Sequence, residues 1–149
     1  MTEQANAPQP HVDVRFFQPN DVGPRDWGRE ILVAHVPGKY TVKILKMNKG
    51  HKGGLQYHQI KDESAHLLSG KLLFRYDNGD GKISERVLLP GESVHIPPDA
   101  VHQEEALEDC VIIEGSNPIF NDRVRVEEKY GLEKKGGLPT TTKDEIKIG

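Results

Sequence analysis

A glutamine, a histidine and a glutamate stand close together in GGLQYHQIKDESAHLLSGKL, residues 53–72. In a strand, residues two apart share a face, so Gln56 and His58 point the same way while Leu55 and Tyr57 point the other. After a tight connection through Ile60, Lys61 and Asp62, Glu63 is expected to begin the next strand. Ala65 and Leu67 would share its face and Gly70 would close the hairpin, bringing a carboxylate opposite the imidazole. A second stretch, PGESVHIPPDAVHQEE, carries a glycine turn, a strand, the rigid pair Pro97-Pro98 and then His102 entering another strand. An antiparallel barrel can set His102 beside His58 and Glu63. Two neutral imidazoles, one carboxylate and an amide oxygen would then surround a divalent ion such as Zn, Mn, Fe, Ni or Co. The spacing alone leaves equally open that His58 and His102 are unrelated core or surface residues.

The elements that must position these residues read as β-strands. EILVAHV breaks at Pro37-Gly38, YTVKILKM ends before NKGHKGG, and HLLSGKLLFRY is two apolar runs around Ser69-Gly70. YDNGDGKI is a hairpin signal, followed by SERVLL, Pro90-Gly91, SVHI, Pro97-Pro98 and DCVIIEG. Roughly nine strands at this spacing predict an all-β sandwich or barrel. Asp77 to Gly81 lacks the alternating ligands and distal Glu of a calcium loop and reads as a turn.

A chain of 149 residues fits one domain. Residues 1–11 and 133–149 are polar or rich in Gly, Thr and Lys, so flexible terminal extensions are expected around a domain at 12–132. A net charge of −3, with 29% charged residues of both signs, provides no basic field for nucleic acid or an anionic membrane. Without a basic leader followed by an apolar segment, or a run of roughly 20 apolar residues, a soluble cytoplasmic protein is expected. Cys110, the single cysteine, lies in an apolar run and reads as a buried inert thiol.

The two metal-site stretches resemble the paired motifs of the cupin superfamily, G-x5-H-x-H-x(3,4)-E-x6-G and G-x5-P-x-G-x2-H-x3-N. With His58 as the second histidine, four residues separate it from Glu63 and six separate Glu63 from Gly70, while Gln56 takes the first histidine's place. Gly91, Pro97 and His102 match the second motif, whereas Asp99 stands where it has glycine and Ala106 where it has asparagine. The resemblance implies a single-domain jelly-roll barrel, also called a double-stranded β-helix.

Within that superfamily, about Asp26 to Leu132 resembles the type II mannose-6-phosphate isomerases, including the C-terminal domain of the enzymes that also carry mannose-1-phosphate guanylyltransferase activity. DWGRE, GGLQYH, HIPPDAVH and VIIEGSNPIFNDRVRVEEKYGL echo that family's elements in order. The resemblance implies a metal held by Gln56, His58, Glu63 and His102, and an aldose–ketose isomerase or epimerase acting on a sugar or sugar phosphate. Lys61, His95 and Glu104 are the candidate proton carriers, and Arg125, aligned with the tail arginine, is the candidate substrate contact. Where that family has Arg before its glutamate and His-Trp after it, this chain has Lys61, Ser64 and Ala65. The alternatives are a non-haem Fe(II) dioxygenase and a non-catalytic sugar-binding protein. A small-molecule substrate and a homodimer are the expected partners, with Val12, Val14 and Phe16 of the N-terminal arm available to a second subunit. His66 has the opposite parity to Glu63 and should face outward, His51 should be solvated, and Trp27 should pack under the barrel end.

Overall fold

The computed structural model describes residues 7–141 and 143–149. Its strands are β1 (Asn20–Arg25), β2 (Gly28–Val36), β3 (Tyr40–Met47), β4 (Gln56–His58), β5 (Glu63–Ser69), β6 (Leu72–Asp77), β7 (Ile83–Leu88), β8 (Ser93–Ile96), β9 (His102–Ala106) and β10 (Cys110–Ser116), then the short β11 (Ile119–Phe120), β12 (Arg123–Arg125) and β13 (Lys147–Ile148). Two 3₁₀ turns, Glu127–Tyr130 and Lys143–Glu145, are the only helical pieces among the described residues. No described helix is long and apolar enough to cross a membrane.

The nine runs marked by the sequence correspond to β2 through β10. They form a jelly-roll of two antiparallel sheets, one ordered β1-β2-β3-β10-β5-β8 and the other β12-β4-β9-β6-β7. Successive strands often change sheet. The expected hairpin from β4 to β5 is one such place: β4 lies beside β9 and β12, while β5 lies between β10 and β8. His58 and Glu63 therefore meet across the barrel interior and not across a ladder. Asp122 fixes the crossing, because its Oδ2 accepts the backbone N–H groups of Ile60 (2.8 Å) and Lys61 (2.7 Å). By contrast YDNGDGKI does turn β6 into β7 as a hairpin, with Asp77 opposite Ile83.

Period-2 alternation decides what faces inward. Along β3 the buried positions are Thr41, Lys43, Leu45 and Met47; along β10 they are Cys110, Ile112, Glu114 and Ser116. The ladder sets Met47 opposite Cys110, Leu45 opposite Ile112, Lys43 opposite Glu114 and Thr41 opposite Ser116. One end of the interior is thus a hydrophobic core, joined by Ala65, Leu67, Leu72, Phe74, Leu88, Ile96 and Ala106. Its other end is polar. Trp27 packs at the margin of the core, as expected, and Cys110 is buried within it.

Two positions bear on the sequence motifs. A Cβ at Gly70 would come within 2.2 Å of Asp109 O, and its φ of 94° favours glycine as well. Asp99, which stands where the second motif has glycine, has a φ of 69°, so the left-handed turn persists with a residue that tolerates it.

The ends differ from expectation. Residues 7–19 contain no strand and are exposed, with Val12 and Val14 at 79% and Phe16 at 92%, so the barrel proper begins at Asn20. The C-terminal segment, read as a flexible tail, folds back on the barrel. β13 pairs with β11, Arg125 donates to Gly136 O and Leu138 O, and the Gly137 N–H donates to Asp26 Oδ2 at 2.6 Å. Its Gly and Thr content concealed anchors that are mostly backbone carbonyls and amides, which composition does not reveal.

Candidate metal centre

A cavity of about 430 Å³ opens at the polar end, and Gln56, His58, Lys61, Glu63, His102, Glu104 and Glu114 line it together. His58 Nε2 and His102 Nε2 each lie 3.6 Å from Glu63 Oε1. One ligating atom from each of the three residues falls within 4.8 Å of the others, a separation at which one ion can be held by all three. The structure thus brings His58, Glu63 and His102 into a possible metal site. Gln56 lies directly across the β4–β9 ladder from His102 and lines the same cavity.

The groups behind the imidazoles support the fit. His58 Nδ1–H donates to Asp122 Oδ1 at 3.0 Å, and His102 Nδ1–H donates to Ala100 O at 2.9 Å. Each bond leaves Nε2 with its lone pair facing Glu63, the tautomer a metal requires. The left-handed turn at Asp99 helps to place the Ala100 carbonyl. Burial pushes the His102 pKa down, which favours the neutral, ligating form. Burial works against ionisation of Asp122, but the bond from His58 and the two backbone N–H groups outweigh it and bring its pKa to about 2.

Lys61 sits inside the cavity wall. Its Nζ lies 2.5 Å from Glu114 Oε1 and 2.6 Å from Glu63 Oε2, the latter an ion-pair contact without the alignment of a good hydrogen bond. Burial opposes the charge on Lys61, yet Glu114 and Glu63 together hold its pKa well above the usual range. Burial likewise opposes ionisation of Glu63, and Lys61 followed by the two histidines holds its carboxyl well below the usual range. Glu114 moves the other way, raised by burial and by the charge of Glu63. A lysine locked as a cation between two carboxylates is unsuited to the proton-carrier role assigned to it from sequence.

The remaining sequence candidates divide. Glu104, two residues after His102 on β9 and therefore on the same face, lines the cavity; burial and then the neighbouring Glu63 and Glu114 push its pKa up to about 8. His95 lies outside the barrel, because the inward residue of β8 is Ile96; its exposed Nε2–H donates to Asp62 Oδ1 at 2.7 Å. His66 faces outward as expected, hydrogen-bonded to Ser93 Oγ, and His51 stays on the exposed loop. Arg125 is sealed beneath the C-terminal segment, with Nε and Nη2 on Glu127 and Nη1 on the Gly136 and Leu138 carbonyls. Those bonds use its donors and keep it from the cavity. Arg123, opposite His58 in the β4–β12 ladder, lines it instead.

Asp122 and Glu114 were not singled out from the sequence. Glu114 carried a signal, since it is a charged residue at the inward parity of the apolar run CVIIEG. Asp122 follows Asn121, whose φ of 59° marks a turn, and nothing local announces its link to His58.

No family model and no curated protein matches the chain. Solved structures do. The capsular polysaccharide assembling protein CapF from Staphylococcus aureus is 24% identical with a TM-score of 0.64, over 73% of this chain and 34% of that one. KdgF from Halomonas sp. is 23% identical with a TM-score of 0.55, over 68% of this chain and 93% of that one. An RmlC-like cupin from Shewanella frigidimarina is 15% identical with a TM-score of 0.54, over 67% and 82%. The chain spans about a third of the length of the CapF chain it matches. With its two antiparallel sheets and its inward histidines and glutamate at one end, the chain has the fold of the cupin superfamily.

Proposed function

We propose that the chain is a metal-dependent isomerase or epimerase acting on a sugar or sugar phosphate, as the likeness of its motifs to type II mannose-6-phosphate isomerases implies. The observation that carries this reading is geometric: Glu104 lies on the strand face of His102 and lines the cavity that holds the His58–Glu63–His102 cluster, and burial raises the proton affinity of its carboxyl. A divalent ion held by those three residues, with Gln56 beside them, would supply Lewis acidity toward a carbonyl and its neighbouring hydroxyl.

The chain's own residues do the rest. Isomerisation removes a proton from the carbon bearing the hydroxyl and returns one to the former carbonyl carbon, while the hydroxyl proton moves to the carbonyl oxygen. One carboxylate can take and return the carbon-bound proton, and a pKa lifted toward neutrality makes Glu104 a stronger base than an ordinary glutamate. Lys61 keeps Glu63 ionised and holds it against the wall, a positioning role. Asp122 and Ala100 fix the ring orientations.

Metal-loaded protein is to be assayed against a panel of aldoses, ketoses and their phosphates, with oxygen uptake followed in parallel. Turnover that Glu104→Gln lowers by on the order of a hundredfold, with KM little changed, is expected. Oxygen consumption dependent on Fe(II) and a sugar would replace this reading with a dioxygenase, and binding without turnover across the panel would replace it with a sugar-binding protein.

A further inference from the structure

Tracing the hydrogen bonds of the charged groups that line the cavity shows which donors are still open. Lys61 is shared by Glu63 and Glu114, and Asp122 accepts from His58 Nδ1–H and the Ile60 and Lys61 backbone N–H groups. Glu30 is saturated, with Oε1 2.9 Å from Lys43 Nζ and Oε2 2.8 Å from Arg25 Nη2. Among the described residues, two guanidiniums keep donors that no carboxylate accepts. Among the described residues, the buried Nε of Arg25 has no hydrogen-bond partner and its Nη1 donates to Pro24 O at 3.3 Å. Arg123 places Nε on Pro139 O (2.8 Å) and Nη1 on Asn121 Oδ1 (3.3 Å), both neutral, which leaves Nη2 without a hydrogen-bond partner among the described residues. Lys147 lines the same cavity.

The two arginines are near enough to disturb each other. Burial and then the charge of Arg25 lower the Arg123 pKa, against the opposing pull of Glu145 and Glu30. Crowding two partly desolvated guanidiniums is unfavourable unless an anion sits between them, and planar nitrogen forks suit an oxyanion's geometry. Both are held by neighbours: Arg25 by Glu30, and Arg123 by the folded-back C-terminal segment and by its ladder position opposite His58. Such held donors bind with little loss of side-chain freedom.

We propose that Arg25 and Arg123 form an oxyanion subsite in this cavity, so that the substrate carries a phosphate or carboxylate in addition to the groups that meet the His58–Glu63–His102 cluster. This deepens the isomerase reading and rests on it only for the reacting end of the substrate; the subsite itself needs no metal.

The test uses the full chain stripped of metal by chelation, titrated calorimetrically with inorganic phosphate or acetate, with chloride at equal ionic strength as the control. Binding above the chloride control is expected, and the stronger of the two anions identifies the oxyanion. Loss of charge-assisted hydrogen bonds in Arg123→Met should weaken it about tenfold or more, with Arg123→Lys intermediate and His102→Ala unchanged. Arg25→Met should act in the same direction; if breaking its Glu30 pair unfolds that variant, Arg123→Met decides alone. No anion binding in the stripped protein, or binding insensitive to Arg123→Met, overturns the subsite. So does binding that His102→Ala abolishes, since the anion would then lie at the histidines. Phosphate binding with no turnover of any sugar leaves the subsite standing and removes the isomerase, whereas turnover of neutral sugars without oxyanion binding does the reverse.

Discussion

The two ends of the barrel interior are built on the same strands and do opposite work. On β3 and β10 the paired inward residues run Met47–Cys110, Leu45–Ile112, Lys43–Glu114 and Thr41–Ser116, so two steps along the ladder change the interior from hydrocarbon to charge. On β5 the order runs from Glu63 at the polar end to Ala65 and Leu67 in the core. At the apolar end burial alone stabilises. At the polar end every buried charge needs a partner, because desolvating an isolated ion costs several kcal/mol. Lys61 meets that need for two carboxylates at once, and the His58–Glu63–His102 cluster is the part of the polar end whose geometry could hold a cation. A scaffold with a rigid hydrocarbon floor can hold polar side chains in place above it without drawing its own stability from them.

The contrast breaks first if the apolar end is disturbed. Ile112 is fully buried between Leu45 and Leu67 on the neighbouring strands. Ile112→Ala should cost roughly 2–5 kcal/mol through lost burial and the cavity left behind. Urea denaturation measures this, and stoichiometric metal should persist in whatever fraction is folded. A loss of metal at temperatures where the barrel is intact would mean that the two ends are not separable.

The reverse experiment removes ligands. His58→Ala and His102→Ala should abolish tight metal binding while moving the denaturation midpoint of the metal-stripped protein far less than Ile112→Ala does, because the barrel core and not the ion supplies most of the burial. His66→Ala, on the outer face, should leave metal content unchanged. Elemental analysis of each purified variant decides it; full metal in either cluster variant places the site elsewhere.

Much of this division was legible in the sequence and some was not. Alternation in YTVKILKM and CVIIEG gave strands and faces, because it is local periodicity, whereas the spacing of His58, Glu63 and His102 left their meeting open and only the resemblance to the cupin motifs implied it. The sheet exchange between β4 and β5 was read as a hairpin, since a tight connection looks alike whether its strands pair or part. Arg125 and Arg123 share inward parity, and only the folded-back C-terminal segment, which claims Arg125 through backbone carbonyls, decides which of them reaches the cavity. Long-range partners such as Asp122 on His58 have no sequence period to announce them.

The smallest expected effect concerns Glu104 and sharpens the account of the polar end. In the folded chain its carboxyl keeps its proton up to about pH 8, whereas the unfolded chain gives it up near the ordinary value of 4.5. Between those limits the native state binds more protons than the unfolded one, so stability falls as pH rises, and the loss is complete above about pH 8. The slope from one site cannot exceed about 1.4 kcal/mol per pH unit, and water in the cavity reduces it further. Glu114 is raised as well, but it titrates alike in wild type and Glu104→Gln and cancels in their difference. Metal-stripped Glu104→Gln should therefore match wild type near pH 4.5 and gain on it steadily toward pH 8. Urea midpoints measured across that range test the point. Parallel curves would mean that Glu104 ionises at its ordinary pH, and the base that the isomerase reading places beside His102 would lose its raised pKa.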